Sequence, residues 1–133
     1  GGIAKGYAVD CMGEVLRRHG VRHALAALDG ELRAVGSRSE GHPWAVAVER
    51  PDPGHRAAHA VIELQDLAVA TSGDYRRFVQ AGDARHAHTM DARRALPVNT
   101  PVASVRELAG SCMHADAWAP VGRFAAPMPA AVA

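Results

Sequence analysis

The sequence predicts an α+β fold, an antiparallel-rich sheet with an N-terminal and a C-terminal helix. Three observations carry this. Apolar residues between Ile3 and His19 recur at steps of three to four; short alternating apolar segments separated by Gly, Pro and Asp turns fill the middle of the chain; and Ser111 opens a second helical stretch. With 133 residues, 48% of them apolar and 22% charged, the chain is long enough for one buried core and is neither low-complexity nor collagen-like. Its 15 Lys and Arg stand interspersed among 14 Asp and Glu. Without a basic stripe, neither nucleic acid nor an anionic membrane surface is expected as a partner.

The first helix takes its stripe from Ala4, Ala8, Met12 and Val15/Leu16; Arg17, Arg18 and His19 load the negative end of its dipole, and Gly20 stops it. Arg22 to Leu28 reads as a strand too apolar on both faces to be exposed. Asp29-Gly30 supplies a hairpin turn, and Glu31 to Val35 alternates as a second strand. Trp44, Val46 and Val48 mark a third strand, ended by the loop Pro51 to His55, whose prolines and glycine cannot sustain a ladder. Val61 to Leu64 and Asp66 to Ala70 follow as strand pieces. Thr71-Ser72-Gly73-Asp74 reads as a turn with glycine at a tight or positive-φ position. Tyr75 to Val79, Arg85 to Met90 and Val102 to Leu108 are expected as further strands, separated by Gly82-Asp83 and by Pro97 to Pro101. Ser111 caps a helix beginning at Cys112, and Pro120 is expected to end or kink it near Ala119, at a cost of roughly 3 kcal/mol. Residues 125–133 show neither period and are expected to be a disordered tail, leaving 1–124 as the folded part.

Several residue groups invite chemistry. Gly1-Gly2-Ile3-Ala4-Lys5-Gly6-Tyr7 places glycines and a lysine at a helix N-terminus, which suits a phosphate, although glycines there also serve as plain backbone geometry. Eight histidines raise a metal reading, with His55/His59 and His86/His88 as pairs. His86 and His88 would share a strand face, but zinc needs three or four ligands and no Cys or carboxylate joins them at a recognisable spacing. Ser72, His88 and Asp116 can be drawn as a catalytic triple, yet Ser72 lacks the GxSxG elbow. His88 with Asp91 reads as a general base beside a carboxylate that caps the next turn. Asp116, early in the last helix, either ligates a hard cation or favours the dipole. Cys11 and Cys112 lie far apart without metal spacing; two small buried thiols are the plainer reading against one disulfide. No stretch approaches about 18 uncharged apolar residues and the N-terminus lacks a signal-peptide pattern, so no span or leader is expected and the compartment is left open. Gly1-Gly2 is not a translation start, so a processed product or fragment is expected.

Taken in order, the segments resemble the ApbE-type FAD:protein FMN transferases. Gly1 to Asp10 resembles the family's GGIAKGYAVD element; Leu28 to Leu32 is similar to its LGG(D/E) turn and Pro43-Trp44 to its PW; Ala70 to Arg76 resembles ATSGDYR; His88 to Asp91 resembles HIID; and Cys112 to Ala119 resembles CMxADAxA. The resemblance implies cleavage of the FAD pyrophosphate, transfer of FMN to a threonine of an acceptor protein, release of AMP and use of Mg²⁺. Carried over by position, the Gly2 carbonyl and the Asp116 carboxylate would ligate Mg²⁺. Lys5, Ser72 and Gly73 would lie against FAD, and His88 would be the base acting on the acceptor threonine.

The sequence departs from the pattern at four places. Pro120 replaces a threonine ligand four residues after the aspartate, Asp29 replaces a turn glycine, and Ala92 and Ala95 replace a Pro and a Gly. The expectation is therefore a truncated or impaired transferase matching the second half of a family domain, self-associating or complemented by a missing N-terminal half. The alternatives are a non-catalytic flavin- or metal-binding remnant and an accessory structural subunit.

Overall fold

In this computed structural model, residues 2–124 are described, apart from 53, 56, 74–77, 82 and 83. The expectations for Asp74, Tyr75 to Arg77, Gly82-Asp83 and the tail at 125–133 lie outside the described residues. Helix α1 spans Ala4–Arg18, with basic Arg17 and Arg18 in its last turn and Gly20 at φ +79° beyond it. Its packed face differs from the expected stripe. Gly6, Val9 and Gly13 are buried, whereas Met12 and Val15 of the stripe are exposed, together with Ile3 and Tyr7. Close approach rather than hydrophobicity selects the face. A Cβ on Gly6 would collide with the carbonyl oxygen of Cys112 and lie 2.8 Å from Asp116 Cβ, while one on Gly13 would lie 3.4 Å from Val35 Cγ2.

Strands β1 (Ala24–Leu28) and β2 (Glu31–Val35) pair in register through a two-residue turn in which Asp29 (φ +48°) and Gly30 (φ +102°) are both left-handed. That geometry matches the twist of a hairpin, and Asp is among the few side chains that tolerate it, so Asp29 can stand where a glycine is usual. β1 is not buried on both faces as its composition suggests. It forms the edge of the sheet, and Ala27 and Leu28 are exposed. β3 (Trp44–Glu49) pairs with β4, which begins earlier than its apolar run, at Ala58–Leu64.

β5 spans Ala68–Gly73, so Thr71, Ser72 and Gly73 are strand rather than turn; Gly73 pairs with Ser104 and is not among the positive-φ residues. β6 (Phe78–Ala81) and β7 (Ala84–Ala87) form a hairpin, as do β8 (Met90–Asp91) and β9 (Leu96–Pro97). The single strand expected over Arg85 to Met90 is therefore broken at His88 and Thr89, and His88 does not share a strand face with His86. Asp91 does cap the following turn, accepting from Arg93 N–H at 2.9 Å. β10 (Ser104–Ala109) completes a four-stranded antiparallel sheet in the order β1-β2-β5-β10.

Helix α2 spans Cys112–Gly122, with Ser111 Oγ accepting from His114 N–H at 3.3 Å. It does not end at Ala119. Pro120 forgoes only the bond to Asp116 one turn back, near the end of the helix, and its own carbonyl accepts from Arg123 N–H at 3.1 Å. The two helices cover one sheet face: Val9, Ala26, Ala68 and Cys112 form one cluster, and Ala70, Ala115 and Ala119 another. On the opposite face the β3–β4 hairpin packs Trp44, Val46, Ile62 and Leu64 onto Leu25, Leu32, Ala34 and Val69. The alternation of strand side chains thus places small residues under the helices and large ones under the hairpin.

Candidate functional site

Asp10 joins the helical layer together. From the middle of α1 its carboxylate accepts from the Cys112 and Met113 amides, both at 2.9 Å, satisfying two free N–H groups at the start of α2. Arg33 Nη1, from β2, donates to Asp10 at 2.6 Å and to the Gly110 carbonyl at 3.0 Å. Burial alone would raise the Asp10 pKa, but the Met113 and Cys112 amides and the Arg33 guanidinium outweigh it and hold the carboxyl below its ordinary range. Asp10 is the last letter of the first motif, and its task is structural: it fixes α2, and so Asp116, against α1. Neither Asp10 nor Arg33 was singled out as functional in the sequence. The apolar pattern shows helices, not which of them caps another.

With α2 so placed, Asp116 lies one helical turn in, buried, and its Oδ2 accepts from Gly6 N–H at 2.9 Å. The same glycine that allows the helices to touch donates this bond. Among the described residues Asp116 Oδ1 takes no hydrogen bond. Gly2, at the entrance to α1, lies beside the same part of α2: a Cβ there would sit 3.8 Å from the Asp116 carbonyl oxygen and 3.7 Å from Pro120 Cγ. Lys5, in the first turn of α1, reaches across to the β1–β2 hairpin, its Nζ 2.8 Å from Glu31 Oε1 and 3.5 Å from the Asp29 carbonyl.

The sequence marks Glu31 as the start of a strand and the acidic position of the LGG(D/E)-like turn, without a site role. It is 1% exposed, and its Oε2 has no hydrogen-bond partner among the described residues. Burial raises its pKa, Lys5 pulls it back, and the negative charge of Asp116 raises it again. The signal available in the sequence was its position immediately after the turn that faces Lys5. Cys112, beneath this cluster, has its thiol pushed up to about 12 by burial, reinforced by the charges of Asp10, Glu31 and Asp116. It is buried as expected; Cys11 is not, being exposed on α1.

These elements wall a cleft of about 1040 Å³. Gly2 lines it from just before α1, Lys5 from α1, Glu31 from β2, Ser72 and Gly73 from the end of β5, His88 from the break between β7 and β8, and Asp116 and Pro120 from α2. The six residues that the family resemblance implies for catalysis, flavin contact or metal binding all line this cavity, although they span the chain from Gly2 to Asp116. Among the described residues no group of three or more His, Cys, Asp and Glu side chains is gathered as a metal site. No helix among them is long and apolar enough to cross a membrane.

The arrangement combines a lysine, a buried carboxylate with an open oxygen, strand-end backbone and an exposed imidazole. Groups of these kinds can bind an anion and exchange a proton. The ApbE family model matches residues 1–127, and the chain belongs to the ApbE family. It is 38% identical over 117 residues to the FAD:protein FMN transferase of Vibrio cholerae, covering 88% of this chain and 35% of that protein. To the enzyme of the same name in Haemophilus influenzae it is 39% identical over 115 residues, covering 86% and 33%. The crystal structure of the ApbE protein of Thermotoga maritima superposes with a TM-score of 0.82 at 32% identity, over 91% of this chain and 38% of that one. The flavin transferase ApbE from Vibrio cholerae gives 0.74 at 37% identity, over 89% and 37%. The chain thus spans about a third of the length of the relatives it matches.

Proposed function

We propose that the cleft binds FAD and serves the transfer of FMN to a threonine of an acceptor protein, with Mg²⁺. The observation that carries this reading is the convergence of Gly2, Lys5, Ser72, Gly73, His88 and Asp116 on one cavity, in a chain whose relatives are named for that reaction. The acceptor threonine hydroxyl attacks the FMN-side phosphorus, the phosphoanhydride bond breaks, AMP leaves with the bond electrons, and His88 takes the hydroxyl proton. Lys5, held by Glu31, presents its ammonium to the pyrophosphate, while Ser72 and Gly73 give the flavin a strand-end backbone to lie against.

The donor set fits a hard cation. Asp116 Oδ1 and the Gly2 carbonyl are oxygen donors on adjoining elements, and Mg²⁺ commonly takes its other positions from water and substrate phosphate. When bound it supplies charge neutralisation for the pyrophosphate. Pro120 contributes no oxygen where the sequence resemblance expects a threonine, so the protein side of this site is thin and the metal is held weakly without substrate. This one observation favours a second reading, flavin binding with little or no transfer. Self-association, or complementation by further polypeptide, would cover the apolar residues left exposed on α1, and sedimentation velocity tests it.

The test is incubation of the chain with FAD, Mg²⁺ and an acceptor protein, followed by in-gel flavin fluorescence. Labelling that His88→Ala abolishes supports transfer. Saturable FAD binding without labelling selects the second reading, and no FAD binding rejects both.

A further inference from the structure

Arg123 plays no part in the chemistry above, yet it is fully buried. It stands immediately after α2, whose last residue, Gly122, lies so close to β10 that a Cβ would come within 2.7 Å of Val105 Cγ1. Because the helix continues through Pro120 instead of ending at Ala119, Arg123 is carried inward, with its N–H on the Pro120 carbonyl at 3.1 Å. From there Nη1 donates to Thr89 Oγ1 at 3.2 Å. The Thr89 carbonyl is held as well, accepting from Val98 N–H at 2.9 Å beyond β9. Thr89 is thus gripped on its side chain by the helix that carries Asp116 and on its backbone by the β8–β9 hairpin. Thr89 and its exposed neighbour His88 both line the cleft.

We propose that Arg123 and Thr89 form a latch that sets the position of His88 relative to Asp116, Arg123 being a positioning residue and not a catalytic one. The proposal rests on His88 acting as the base. Residues 88 and 89 lie between two short hairpins and belong to no strand, so the ladders alone do not hold them. A guanidinium is a strong donor with a fixed fork, and once buried it has little freedom to release its acceptor. The latch thus makes the C-terminal end of α2 a second support for the site, besides the Asp10 cap at its N-terminal end.

The test compares Thr89→Val, which keeps the shape and loses the hydroxyl, with Thr89→Ser, which keeps the acceptor. Amide ¹⁵N order parameters at residues 88 and 89 are expected to be about 0.85 in the parent chain and in Thr89→Ser, and below about 0.6 in Thr89→Val. With FAD, Mg²⁺ and acceptor, Thr89→Val should lower the rate of labelling about 10- to 100-fold at unchanged FAD affinity. Thr89→Ser should restore the rate. If the parent chain labels nothing, the transfer reading fails and the order parameters still decide the latch. Equal order in all three proteins would overturn it, as would a labelling rate that Thr89→Val leaves unchanged.

Discussion

Replacing Gly6 by alanine tests whether contact between the two helices governs the site. In an exposed helix interior this change stabilises by about 1 kcal/mol, because alanine is the better helix former. Here the added Cβ meets the Cys112 carbonyl oxygen, its carbon at 2.7 Å and Asp116 Cβ at 2.8 Å. Two of those three atoms are backbone and have no rotamer by which to yield. Overpacking of this kind costs about 1–3 kcal/mol, and separating the helices also weakens the bond from Gly6 N–H to Asp116, a charge-assisted one worth about 1.5–3 kcal/mol. The net expectation is destabilisation by about 2–4 kcal/mol. For a urea m-value of about 2 kcal/mol/M this lowers the midpoint by about 1–2 M. Gly13→Ala is the control, since its Cβ meets Arg33 Cδ and Val35 Cγ2 at 3.4 Å, both on side chains; it should be within about 1 kcal/mol of the parent, on either side. Urea unfolding of the three proteins decides the matter. Gly6→Ala as stable as the parent would refute the account of how α1 meets α2.

The Asp10 carboxyl titrates below its ordinary range in the folded chain, so its contribution is complete above the unfolded pKa and is lost as pH falls through the folded one. The melting-temperature gap between the parent and Asp10→Asn should accordingly be widest near neutrality and close toward pH 2. Ala95 holds φ +51°, a conformation that costs a residue with a Cβ about 1–2 kcal/mol. Ala95→Gly should therefore raise stability by up to about 1 kcal/mol after the entropy cost of glycine, read by the same urea titration. Cys112 is buried with its thiol pushed up to about 12, while Cys11 is exposed. A thiol reagent at pH 8 should modify one of the two cysteines in the native chain and both in denaturant.

The elements were legible wherever local chemistry decides them. Arg17 and Arg18 ahead of Gly20, the Asp29-Gly30 turn and the Ser111 cap all place a boundary by their own backbone and hydrogen-bonding preferences. What depends on a neighbour was not legible. The buried face of α1 includes two glycines, Gly6 against α2 and Gly13 against β2, and no hydropathy pattern marks a glycine as a contact. β1 looked too apolar for an edge, but strand order is a property of the whole sheet. Pro120 counted as a breaker by local rule, whereas its position near the helix end makes the lost bond tolerable. The site behaved differently. Its six candidate residues come from motif order, and periodicity alone would not have brought Gly2 and His88 together. Glu31, Asp10 and Arg123 were passed over because each acts on another protein group before any ligand is present.

The most direct measurement is a calorimetric titration of FAD into the chain with and without Mg²⁺, repeated for Asp116→Asn and Pro120→Thr. Asparagine can still accept from Gly6 N–H, so Asp116→Asn tests the charge in the cleft and not the helix contact. The account predicts saturable FAD binding in the parent that Mg²⁺ tightens, loss of that Mg²⁺ effect in Asp116→Asn, and its enlargement in Pro120→Thr, where an oxygen returns one turn from the aspartate. FAD affinity that is absent throughout, or that is identical in all three proteins with and without Mg²⁺, would contradict it.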